Sequence, residues 1–203
     1  MADHIILVEN PTDWKPHFPK LPVVAAKDYL AKPEYSSAGR NLRVLNLCRS
    51  YRYLSVGYYC SLLAEARRHR VIPSVRTLND LSRKSIYSLD VEDLDDHVQQ
   101  VLGKPRPGFT ATAFELDIYF GQCPAKELQE LARQLFGVFR APLLRVEFRL
   151  QGQWRIATLK ALHLHSLSAE QEEMFLGALT TYLSRRWRQP RARSNYRYDL
   201  AML

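Results

Sequence analysis

The sequence predicts an α+β fold in two parts, because its apolar residues change rhythm near Lys104. Before that point, Val44 to Val75 reads as strand, polar aromatic loop, amphipathic helix and strand, the unit of a Rossmann-like sheet. After it come strict alternation over Phe114 to Phe120, a leucine-spaced helix, a hairpin and a capped helix, a ferredoxin-like strand–helix–hairpin–helix order. With 203 residues and 46% hydrophobic content, the chain can bury a core as one domain or as two intimate subdomains.

Residues 1–103 make the Rossmann-like part. Ile5 to Val8 is a first strand, stopped by Glu9-Asn10-Pro11. The proline-rich segment from Asp13 to Pro22 is an irregular loop, with Trp14 and Phe18 as core plugs. Val23 to Ala26 is a short strand or an extended approach to Tyr29, and Pro33 to Arg40 is a loop. Val44, Leu45 and Leu47 form a buried strand that Arg49 and Ser50 end. Ser55 caps the next helix, because its hydroxyl can accept an orphan amide proton of the first turn. Val56, Tyr59, Cys60, Leu63 and Ala66 fall three or four apart, which predicts the buried face of that helix. Arg67, Arg68 and His69 place cations where the helix dipole favours them, and Pro73 bars further helix after the strand at Val71-Ile72. Leu78 and Leu81 mark a short helix capped by Thr77 or Asn79. Ser88 to Gly103 is a longer helix lined by Val91, Leu94, Val98 and Val101 or Leu102.

Residues 104–186 make the second part, entered through the turn-rich joint Lys104 to Gly108. Phe114, Leu116, Ile118 and Phe120 face a core, alternating with Glu115, Asp117 and Tyr119. Pro124 to Gly137 is a helix with Leu128, Leu131 and Leu135 inward. Leu144 to Leu150 alternates, turns at Gln151-Gly152 and returns through Trp154, Ile156 and Thr158 to about Leu164. Ser168 and Gln171 form a capping box that opens a helix reaching about Arg186. Residues 187–203 are an Arg-rich linker followed by YDLAML, which reads as a new strand without a partner in this sequence.

Composition narrows the function classes. Net charge is +8, but Arg185 to Arg197 holds six arginines and no acid, which leaves the body at +2. That placement argues against nucleic acid as a partner of the folded body, and RNA binding through the basic tail is the alternative function. No apolar run is long enough to span a membrane, and the start has no basic region followed by a hydrophobic core, so the reading is cytoplasmic. Cys48, Cys60 and Cys123 read as buried reduced thiols.

The candidate ligand or docking residues are Arg49, Tyr51, Arg52, Tyr53, Ser55, Gly57, Tyr58, Tyr59, Ser61 and Glu65. Arg49 and Arg52 can pair bidentately with a carboxylate or phosphate, and the amides near Ser55 to Gly57 add a positive helix end. The tyrosines offer hydroxyls and flat apolar faces, and Gly57 allows a ligand or another backbone to approach closely. The bland reading packs these residues onto the sheet or onto a further domain. Ser61, Glu65 and His69 lie a helical turn apart but lack a nucleophile elbow, and no catalytic constellation is expected. The acids Asp90, Glu92, Asp93, Asp95 and Asp96 beside His97 read as a solvated helix start, not as a metal site. Glu115 and Asp117 are expected to meet Arg145 and Arg149 across strands, and His163 and His165 read as structural.

The runs NLCRSYRY and GYYCSLLAEARRHRVIPS, from Asn46 to Ser74, resemble the RLAN domain, found at the amino terminus of RimK-like ATP-grasp ligases. The resemblance implies a non-catalytic accessory domain that recognises or positions an amino-acid, peptide or protein substrate, or docks on the ligase module; a purely structural scaffold is a further alternative. It implies that ATP and magnesium belong to a downstream ATP-grasp module in the same chain and that this stretch carries no cofactor. On that reading YDLAML opens the next region, and the sequence is a fragment of a longer ligase.

Overall fold

The computed structural model describes residues 4–37, 42–82, 94, 98–103 and 111–184. The acidic group around Asp90 to His97, the Lys104 to Gly108 joint and the tail from Arg185 lie outside the described residues.

The first part is a four-stranded parallel sheet of β1 (His4–Val8), β2 (Val23–Ala25), β3 (Arg43–Asn46) and β4 (Arg70–Ile72), in the order β2-β1-β3-β4. Ile6 sits opposite both Val23 and Leu45, and Leu45 opposite Ile72. These strands are near-continuous apolar runs because both faces are covered. On one face, Ile5, Leu7 and Val44 pack with Tyr29 of α1 (Ala26–Ala31) and with Cys60 and Ala64 of α3 (Val56–Ala66). The segment expected to be loop after Pro33 holds a one-turn helix α2 (Glu34–Ser37). Helix α4 (Val75–Ser82) is capped by Ser74, whose hydroxyl accepts from the Thr77 amide at 3.0 Å, and not by Thr77 or Asn79.

Helix α3 begins at its expected cap but turns a different face inward. Gly57, Cys60, Ser61 and Ala64 are buried, while Val56, Tyr59 and Ala66 are exposed. Small residues at i, i+3, i+4 and i+7 let the helix lie close to the sheet, and this outweighs the size of the apolar side chains on the neighbouring stripe.

The second part is an antiparallel meander of β5 (Ala113–Tyr119), β6 (Leu143–Gln151) and β7 (Gln153–Ala161), ordered β5-β6-β7. A 3-10 turn, Lys126–Leu128, leads into α5 (Gln129–Val138), and α6 (Ala169–Ser184) follows β7. The α+β class and the strand–helix–hairpin–helix order are as expected. The ferredoxin-like likeness stops at element order, because β5 and β6, which flank α5, are antiparallel neighbours. The capping box is present: Ser168 N donates to Gln171 Oε1 at 2.8 Å and Gln171 N to Ser168 Oγ at 3.3 Å.

Two packing facts join the parts. Leu94, Val98 and Leu102 pack with Leu116, Leu131 and Phe148, so the helix ending near Gly103 belongs with the second core rather than with residues 1–103. The remaining face of the parallel sheet, with Ile6, Val8, Leu45 and Ile72, packs on Tyr119, Phe120, Phe175 and Leu179. Phe18 is buried in that shared layer and Trp14 packs against it, as the core-plug reading expected. Glu172, buried on α6, receives Lys15 from the loop after β1.

A shared core makes unfolding one event. Phe175→Ala, a fully buried truncation, should cost about 3–5 kcal/mol and leave a single transition in urea. Separate transitions for the two sheets would contradict the shared core.

Candidate functional site

In an open parallel sheet, neighbouring strands whose connections leave in opposite directions open a crevice at their carboxyl ends. Strands β1 and β3 are that pair here. The loop from Leu47 to Ser55 leaves β3 at this crevice, so the fold places the candidate residues where α/β folds hold ligands.

The loop is organised by Asn46, which is fully buried. Its Nδ2 donates to the Gly57 carbonyl at 2.7 Å and to Ser61 Oγ at 2.9 Å, and its Oδ1 accepts from the Cys48 amide at 3.2 Å. Tyr51 donates its hydroxyl to the Asn46 carbonyl at 2.7 Å. Burial, with the nearby Cys48 and Cys60, holds the Tyr51 phenol well above its ordinary value, so it stays a proton donor. Ser55 donates to the Ser50 carbonyl at 2.9 Å and caps α3 by accepting from the Tyr58 amide at 3.3 Å. Gly57 serves a backbone approach: a Cβ there would lie 2.3 Å from the Ser50 oxygen and 2.8 Å from Cys48 Cβ.

Arg49 is engaged within the chain. Its Nε lies 3.0 Å from both carboxylate oxygens of Asp13, Nη2 also bonds Asp13, and its amide donates to Glu9 at 3.1 Å. The Asp13 side chain is 5% exposed. Burial alone would raise this carboxyl, but the Arg49 guanidinium and the Asn10 amide hold it below the ordinary aspartate value. Arg52 is exposed and forms no ion pair among the described residues.

The sequence-predicted residues separate into two groups. Ser61 donates to the Pro73 carbonyl at 2.7 Å, Glu65 accepts from the Val75 amide at 2.9 Å, and His69 meets the Tyr29 hydroxyl at 2.8 Å. These three point to different partners. Tyr53 and Tyr59 are exposed and Tyr58 between them is half-buried, with ring centroids 5.3 and 6.2 Å apart in succession. Tyr53 is 73% exposed and Leu54 57%, and Val56, Tyr59 and Leu62 extend the apolar surface at three-residue steps along α3. Leu54 is held at φ +66°, a left-handed conformation that costs a non-glycine residue energy and here turns an apolar side chain outward.

Sequence reasoning missed Glu9, Asp13 and Asn46, and it left His163 and His165 outside the site. A polar residue inside the apolar run VLNLC was the available signal for Asn46. Strand β7 ends at Ala161, so the two histidines do not share a strand face; their rings stack at 6.0 Å, and His163 lies 5.3 Å from Tyr51. Burial, with His165 and Arg52 nearby, holds the His163 imidazole below its ordinary value against a hydrogen bond to the Cys48 backbone. Cys48, Cys60 and Cys123 are free and buried, and the Cys48 thiol is pushed up by its hydrogen bond with Cys60 and by burial. Among the described residues no group of three or more His, Cys, Asp or Glu is placed to hold a metal ion, and no helix is long and apolar enough to cross a membrane.

Residues 26–178, which include this loop, α3 and both histidines, match the RimK-like ATP-grasp N-terminal domain, RLAN. The chain belongs to the RLAN family. No curated protein matches the sequence. A solved structure of the ATP-grasp ligase PsnB, complexed with a phosphomimetic variant of minimal precursor, Mg and ADP, is similar at a TM-score of 0.47 and 9% identity, over 90% of this chain and 99% of that one. A likeness at that level carries no argument about the site. The RLAN match begins after β1, so Glu9 and Asp13 meet the RLAN loop from outside the matched residues.

Two outcomes check this geometry. Gly57→Ala should destabilise the RLAN fold by about 2 kcal/mol or more in urea unfolding, because backbone and Cβ atoms block the new methyl; an unchanged midpoint would mean the loop does not lie on α3. The folded Asp13 carboxyl titrates below its unfolded value, so its contribution is present above 3.8 and is lost as pH falls through the folded value. Asp13→Asn should therefore be less stable than wild type well above 3.8, and the gap in urea midpoints should close in stronger acid. A gap that stays constant would place the stabilisation elsewhere.

Proposed function

We propose that this RLAN chain is a non-catalytic accessory domain of an ATP-dependent carboxylate–amine ligase and docks on the ATP-grasp module through the surface formed by Tyr53, Leu54, Val56, Tyr59 and Leu62. The observation that carries the reading is this exposed apolar surface at the switch-point loop. Contiguous exposed apolar surface of this kind marks interaction sites, and aromatic residues dominate the energetics of such contacts. The family is by its description amino-terminal to an ATP-grasp module, and that supplies the occupant. The engagement of Arg49 by Asp13 favours apolar docking over capture of a charged ligand by this loop. ATP and magnesium would act on the ATP-grasp module, and no step of the chemistry falls to the residues described here.

The test uses the ligase that carries this domain. Tyr59→Ser combined with Leu62→Ser changes exposed side chains and should leave the domain's own urea midpoint in place. It is expected to lower ligase kcat/KM about tenfold or more, and to weaken association when the two modules are supplied as separate chains. Unchanged kcat/KM together with unchanged association would sink the docking reading. ATP-dependent ligation by the isolated 203-residue chain would sink the non-catalytic one.

A further inference from the structure

The solvent face of the second sheet carries a polar depression remote from the switch-point loop. Along the pairing of β6 with β7, Glu147 faces Thr158, whereas the next residue, Phe148, faces Ile156, so Ala157 is the extra residue of a β-bulge. Bulges bend a strand and re-aim its side chains. This one lies at a depression of ≈250 Å³ lined by Arg149, Gln151, Arg155, Ile156, Ala157 and Thr158, with the small Ala157 among the lining residues.

Arg149 and Arg155 are direct cross-strand partners. Like charges so placed are destabilising unless an anion offsets them. Glu147 offsets one: its Oε1 accepts from Arg149 Nε at 2.7 Å, while its Oε2 accepts from Thr158 Oγ1 at 3.0 Å. Arg155 is exposed and forms no ion pair among the described residues. The lining with Glu147 therefore holds one cation in excess, and Glu147 fixes the Arg149 fork and the Thr158 hydroxyl in place.

We propose that this depression binds the carboxylate of an acidic peptide, with Arg155 as the bidentate donor. The planar guanidinium fork of Arg155 matches the two oxygens of a carboxylate bidentately. The volume lies below the roughly 300–1,000 Å³ of small-molecule sites and fits one side chain or a chain terminus. The carboxylate can come from a Glu or Asp side chain or from a peptide carboxyl terminus. The site does not depend on the docking surface and goes beyond that function.

The experiment is a nitrogen–proton NMR titration of the 203-residue chain with four probes. They are acetyl-Ala-Glu-Ala-amide, acetyl-Ala-Ala-Ala with a free carboxylate, acetyl-Ala-Gln-Ala-amide and inorganic phosphate. Saturable shifts are expected at the amides of Arg149, Gln151 and Arg155 to Thr158 with one or both carboxylate peptides, and the tighter of the two identifies the source. Arg155→Gln should weaken binding about tenfold or more. Ala157→Leu, which fills the depression and leaves every charge in place, should weaken it as much. Equal binding of the Gln peptide, tighter binding of phosphate at these amides, or shifts confined to other residues would overturn the proposal. Undiminished binding by Ala157→Leu would reduce the site to generic surface attraction and overturn it too.

Discussion

The buried carboxamide of Asn46 is the constraint on which the loop and helix depend. An unpaired amide in an apolar sheet would be costly, so its donors and acceptor fix what can surround it. Its bonds to Gly57 and Ser61 hold the first two turns of α3 against the end of β3, and its bond from Cys48 turns the chain out of the strand. With both ends pinned, the residues between must fold back over the helix start. Glycine is required where the Ser50 carbonyl crosses Gly57, and Leu54 takes a left-handed conformation. Tyr53 and Leu54 are consequently turned toward solvent. The exposed apolar surface is thus a consequence of a satisfied buried polar group.

Charge at the switch point is largely matched within the chain. Arg49 meets Asp13 and, through its amide, Glu9. His163 is held below its ordinary value and adds little positive charge at neutral pH. An open parallel sheet usually offers its crevice to a ligand; here Asp13, after β1, and His163, after β7, meet the loop that leaves β3 at that crevice. The loop keeps aromatic and aliphatic groups for contact while its strongest cation is engaged by an acid. Apolar association, which salt does not screen, is the behaviour such a surface supports.

Much of this was legible in the sequence, for identifiable reasons. Strands β1, β3 and β5, the Ser55 cap and the Ser168–Gln171 box each rest on a local pattern, and local patterns survive folding. The buried face of α3 was not legible, because Gly57, Cys60, Ser61 and Ala64 win by closeness of approach, while periodicity weights Val56 and Tyr59 by their hydrophobicity. The partner of Arg49 lies thirty-six residues earlier, in a loop with no periodicity. The bulge at Ala157 shifts the alternation by one, so Leu159, not Thr158, is buried. The helix through Val98 and Leu102 was grouped by its sequence neighbours rather than by the core it fills.

The shared core gives the two surfaces a fixed relation. Strand β7 leads to His163 and the switch-point loop at one end and carries Arg155 near the other, about 25 Å away at ~3.3 Å per residue. Between them, Phe120, Phe175 and Leu179 pack on Ile6, Leu45 and Ile72, and Lys15 pairs with Glu172 across the same boundary. Two subdomains joined by a small polar contact would move independently by default. A buried apolar layer removes that freedom, so a peptide held on the second sheet and a module docked on α3 would keep one distance and one orientation.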